Sequence, residues 1–123
     1  MSYEAYKLIH IFGMYLLFFS LGGVTLYSIN GGKKSENKFK AFVAIFHGVG
    51  LVLLFVAGFG LMKFRDISHS ALPVWIIAKI LIWLAFGGLL TLAYKNQKAA
   101  KVLWFVFPLL GLLAAYLAFY QPS

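Results

Sequence analysis

"LPVWIIAKILIWLAFGGLLTLAY", residues 72–94, carries a single charged side chain, Lys79. A helix lying on water would interrupt such a run with a polar face at every turn. As a helix it spans about 34 Å at 1.5 Å per residue, enough to cross a hydrocarbon core of ~30 Å. Three other stretches read the same way. The four expected spans are about residues 6–29, 41–63, 72–94 and 102–120. Barrel strands are about half as long and alternate apolar with polar residues, a pattern these runs lack. The first run is too long for a cleaved signal peptide. Glu4 and only one lysine, Lys7, precede its apolar part, which starts at Leu8, and no small-x-small cleavage site follows.

Composition agrees. The chain is 63% hydrophobic and 11% charged, against about 25% charged residues in soluble domains. Too few charges remain to cover a water-facing surface. The absence of cysteine removes thiolate metal sites, iron–sulfur clusters, thioether-linked haem and disulfides from consideration. The connections are short and polar: "NGGKKSENKFK", "KFRDISHSALP" and "KNQKAAK". Short links make consecutive helices antiparallel neighbours. The expected fold is an all-α integral membrane protein, an antiparallel up-down bundle of four transmembrane helices, with residues 1–123 forming a single domain.

The net charge of +8 reads as topology and attraction to anionic headgroups, and not as nucleic-acid binding, because the basic residues fall between the apolar runs. Let side A hold both termini and side B lie opposite. Side B carries Lys33, Lys34, Lys38, Lys40, Lys95, Lys98 and Lys101; side A carries Lys7, Lys63 and Arg65. That bias predicts a cytoplasmic side B. Both termini are then outside, in the periplasm for a bacterial inner membrane. Glycine and alanine at four-residue spacing, such as Ala44 with Gly48 and Gly111 with Ala115, predict close helix packing within the bundle or against another copy or subunit.

Ionisable residues inside spans are rare and costly, so each is a candidate site. Here they are His10, His47 and Lys79. At 1.5 Å per residue, His10 lies ~6 Å and Lys79 ~10 Å below side A, whereas His47 lies ~7 Å below side B. His10 and Lys79 therefore share a level, and His47 is ~15 Å or more away in a ~30 Å core. A single haem needs its axial ligands at one level, which separates His47 from His10. Helical spacing puts Lys7, Gly13 or Met14, Leu17 and Ser20 near the His10 face, and Trp75, Trp83 and Gly87 near the Lys79 face. Plainer readings stand beside these. Lys79 snorkels to the headgroups, His10 and His47 bond to neighbouring helices, and His69 is a solvated loop residue. No phosphate loop, paired carboxylate or HExxH motif occurs. Glu4, Glu36 and Asp66, the only acids, all lie outside the spans.

At "YKLIHIFG", residues 6–13, and "WIIAKILIWL", residues 75–84, the chain resembles the small four-helix branch of the HemJ-type protoporphyrinogen oxidase, CopD-type and SirB-type membrane proteins. HemJ-type proteins open their first helix with a similar Leu-His-Ile-x-Gly stretch and carry an intramembrane lysine in the third. His10 and Lys79 fall on those positions. "HGVGLVLLFVAGFGLM", residues 47–62, is similar to the second span of the SirB-like relatives. The resemblance covers nearly the whole chain. "LTLAYKNQKAAK", residues 90–101, lacks the histidine of HemJ-type sequences, and lysines stand where their arginine precedes the second span. The resemblance implies a b-type haem held through the helix-one histidine, in a membrane oxidoreductase.

Two functions are therefore expected from the sequence. In the first, His10 is the metal ligand of a b-type haem. Lys79 is a second ligand, propionate partner or catalytic proton donor, Lys63 and Arg65 meet propionates, and the chemistry is linked to quinone or porphyrin. In the second, the protein binds no cofactor and is an accessory subunit of a larger respiratory, photosynthetic or transport complex, or a homo-oligomer.

Overall fold

The computed structural model describes residues 2–65 and 72–120, with the side chain of Arg65 left out. Four helices form the molecule: α1 (Tyr3–Ile29), α2 (Lys40–Met62), α3 (Val74–Lys95) and α4 (Gln97–Tyr120). Single 3₁₀ turns, Lys34–Glu36 and Lys63–Arg65, follow α1 and α2. The described residues contain no strand. All four helices are long and apolar enough to cross a membrane, and they alternate in direction as an up-down bundle.

Two helices, α1 and α4, start several residues before the apolar boundaries expected from the sequence, each for a capping reason. α1 begins at Tyr3 because the Ser2 side chain accepts a hydrogen bond from the Ala5 N–H, satisfying a donor the helix itself cannot. α4 begins five residues before the expected residue 102. The seven-residue link "KNQKAAK" thus reduces to Asn96 alone. Asn96 Oδ1 accepts from the N–H groups of Lys98 and Ala99 at 3.0 and 3.1 Å, an N-cap that starts α4 where α3 ends. Lys95, Lys98 and Lys101 stay exposed on helical turns that project beyond the apolar segment. α3 starts at Val74, and Pro73 is its N-cap residue, where the missing N–H costs nothing.

α1 is the hub. Leu17, Leu21 and Val24 are fully buried along one stripe, with Ser20, Thr25 and Ser28. Ser20 and Thr25 bond the carbonyls of Leu17 and Leu21 in their own helix, so neither brings an unmet polar group into the core. The main core joins this stripe to Ile82, Phe86 and Ala93 of α3 and to Leu103 and Phe107 of α4. A smaller cluster of Met62, Trp75 and Ile76 lies toward side A.

α1 packs most closely on α2, through two glycines. A Cβ on Gly50 would lie 2.8 Å from both the Gly13 carbonyl oxygen and the Leu17 nitrogen. Only hydrogen fits there, and the two backbones touch. Elsewhere the outer faces carry large exposed apolar side chains such as Leu8, Phe12, Phe19 and Val52, the surface expected against lipid. At side B, Asn37 Nδ2 donates to the Tyr94 hydroxyl at 2.9 Å and Gln97 Nε2 to the Ile29 carbonyl at 2.6 Å, tying the two connections together. Pro108 sits inside α4. It borders an apolar cavity of about 500 Å³ against Phe18, Gly22 and Thr25 of α1.

Candidate functional site

α1 presents Lys7, His10 and Met14 on one side, at spacings of three and four residues. α3 presents Trp75, Lys79, Trp83 and Phe86 at similar spacings. These two rows line one cavity of about 470 Å³ in the side A half of the bundle, within the ~300–1,000 Å³ usual for small-ligand sites. α2 adds Leu54, Phe55, Gly58 and Phe59, and α4 adds Gly111, Ala114, Ala115 and Ala118. Apart from Phe119 near the end of the helix, α4 contributes only small side chains there, which leaves room for the cavity. Near its inner end the wall closes, since a Cβ on Gly111 would meet the Phe18 ring at 2.8 Å.

The His10 ring lies edge-on against α2, where a Cβ on Gly58 would be 3.7 Å from Cε1 and 3.9 Å from Nδ1. Nδ1 is sealed from solvent and has no hydrogen-bond partner. The Leu54 carbonyl, one turn before Gly58, lies beside the ring without meeting hydrogen-bond geometry at Nδ1. Lys79 lines the same cavity and is close enough for its charge to act on the imidazole. The aromatic wall is held in place. Trp83 Nε1 donates to the Leu51 carbonyl at 2.9 Å, and the Phe55 ring sits 5.0 Å from Trp83 and 4.7 Å from Phe59 between centroids.

His47 is elsewhere. Its Nε2 lies 2.9 Å from the Phe86 carbonyl oxygen, so it bridges α2 to α3 and does not line the cavity. Lys63 also stands apart. Its ammonium sits over the rings of Tyr6 and Phe64 at 4.8 and 5.4 Å, with the Tyr6 hydroxyl 3.4 Å away, and it does not line the cavity. The Arg65 side chain and His69 lie outside the described residues. Lys7, by contrast, lines the cavity and is exposed. Sequence spacing gave it as a neighbour of His10 without assigning it a role. The contact of Gly58 with the imidazole edge had no signal in the sequence, since its relation to His10 crosses two helices.

Chemically the site offers one imidazole, two ammonium groups and apolar walls. Among the described residues no three of His, Cys, Asp and Glu come together, so the described side chains form no metal cage of their own. A metal that brings its own equatorial ligands needs only one or two axial groups from the protein. No protein-family model, curated protein or solved structure matches the chain.

Proposed function

We propose that this protein is a membrane redox protein that binds b-type haem in the cavity on side A, with His10 as the axial ligand. The observation that carries this reading is the state of His10. One ring nitrogen is sealed against α2 without a partner, and the ring borders an apolar cavity of cofactor size. Ligating histidines usually hold one nitrogen toward a carbonyl or carboxylate and present the other to the metal. In that role Nδ1–H would turn to the Leu54 carbonyl beside the ring and Nε2 would be the nitrogen that holds iron. The likeness of "YKLIHIFG" and "WIIAKILIWL" to HemJ-type proteins points the same way.

When bound, haem supplies one-electron chemistry at iron. The chain's own residues bind, shield and charge the site. Phe55, Phe59, Trp75 and Trp83 give it apolar aromatic walls. Lys79 lines the same cavity as His10 and would serve as a positive charge or proton donor toward the bound group. The lysine bias favours a cytoplasmic side B, and with that orientation the site would face the outer half of a bacterial inner membrane. The test is cofactor content, measured with folding yield, for protein loaded with haemin in detergent. His10→Ala is expected to lose haem while still folding, and Lys79→Met to lower haem content or activity. Full haem content in His10→Ala contradicts the assignment. Lys79→Met with unchanged content and activity leaves Lys79 a snorkelling residue.

A further inference from the structure

We infer that Lys7 receives the acid group of the ligand, so that the cavity takes an amphiphile with a carboxylate at one end and an apolar body at the other. Three basic side chains, Lys7, His10 and Lys79, line this cavity, and no acidic residue is among the described lining residues. Glu4, three residues before Lys7, does not line it. A cationic surface set in a low-dielectric wall favours an anion.

Position selects Lys7 among the three. It is exposed, and it meets the cavity together with Tyr3 and Phe119, which are 39% and 84% exposed. These three residues mark the mouth, between the ends of α1 and α4 on side A. The ammonium lies 5.7 Å from the centroid of the Tyr3 ring, a contact that leaves its hydrogen-bond donors available. His10 is one turn further in, ~4.5 Å along the helix axis. A ligand with its acid at Lys7 therefore keeps the charge near the headgroups and lays its apolar body against the Gly111, Ala114 and Ala118 side of α4. The drug-sized volume suits one macrocycle or one alkyl chain better than a two-chain phospholipid. Lys63, the other lysine at this end, is occupied by Tyr6 and Phe64 outside the cavity. The inference shares with the haem reading only the use of this cavity as a ligand site; it does not need iron.

The experiment compares acids with their esters in detergent-purified protein. The probes are haemin and its dimethyl ester, and a fluorescent stearic acid and its methyl ester. Wild type is expected to bind the acid about tenfold tighter or more, the range of a charge-assisted hydrogen bond. Lys7→Met is expected to bring the two within about threefold, Lys7→Arg to restore the preference, and Lys63→Met to leave it intact. Equal binding of acid and ester by wild type overturns the inference, as does a preference that survives Lys7→Met. If only the stearic pair binds and discriminates, the haem reading falls and this inference stands. If haemin and its ester bind equally through His10, the haem reading stands and this one falls. Failure of every probe to bind overturns both.

Discussion

Gly50→Ala tests the packing on which the cavity depends. The added methyl carbon would lie 2.8 Å from the Gly13 oxygen, 2.8 Å from the Leu17 nitrogen and 3.2 Å from the Leu17 Cα. These are backbone atoms of α1 and cannot rotate away. Reaching ordinary contact at 3.4 Å requires α1 and α2 to part by roughly half an ångström, and overpacking of this kind costs about 1–3 kcal/mol. Against it stands the helix-propensity gain of alanine over glycine, about 1 kcal/mol. Gly48 supplies the control. It lies two residues away in the same helix, and a Cβ there meets nothing within 4 Å, so Gly48→Ala keeps the propensity gain without the clash. Because that gain is common to both variants, the difference between them isolates packing, about 1–3 kcal/mol. Unfolding titrations in mixed micelles with increasing SDS measure this difference. Gly50→Ala is expected to unfold at lower SDS than wild type or Gly48→Ala. If the two variants unfold within ~0.5 kcal/mol of each other, the backbones do not touch at Gly13 and Gly50, and the crossing described above is wrong.

Other consequences follow from single contacts. His47→Ala removes the bridge to the Phe86 carbonyl and is expected to cost about 0.6–1.7 kcal/mol, the range for hydrogen bonds between membrane helices. Micelle unfolding measures that cost, and haem content should not change. Asn96→Ala removes the cap that starts α4 and is expected to cost about 0.5–2 kcal/mol, read by the same titration. Since the chain has no cysteine, Lys34→Cys and Lys98→Cys can report orientation through an impermeant thiol reagent. Both are expected to label only from the cytoplasmic face, and labelling from the outside reverses the topology.

Much of this architecture is legible in the sequence because one physical length governs it. A run such as residues 72–94 has to be a helix if it is to cross hydrocarbon with its backbone groups satisfied. Helix number, class and alternating direction follow. Helix ends are less legible. Asn96 looked like one of seven connecting residues, yet its side chain replaces the loop, because capping is a local geometry that hydropathy does not register. The side-by-side placement of His10 and Lys79 came from counting residues inward from each span's entry, and that arithmetic also kept His47 apart. Lateral neighbours could not be counted in this way. Lys7 and Lys63 sit at similar depths on side A, and only the rotation of α1 and α2 about their axes turns Lys7 to the cavity and Lys63 to Tyr6. The Gly13–Gly50 contact and the Gly58 edge against His10 depend on the same rotation, which depth arithmetic along the chain does not fix.

Ligation of haem iron by His10 is the central claim, and resonance Raman spectroscopy of the haemin-loaded, reduced protein reads it most directly. The account predicts one haem per chain, an iron–imidazole stretching band in wild type and in His47→Ala, and loss of that band in His10→Ala. A band that persists in His10→Ala, or a wild-type protein whose Soret absorbance does not scale with protein concentration, contradicts it.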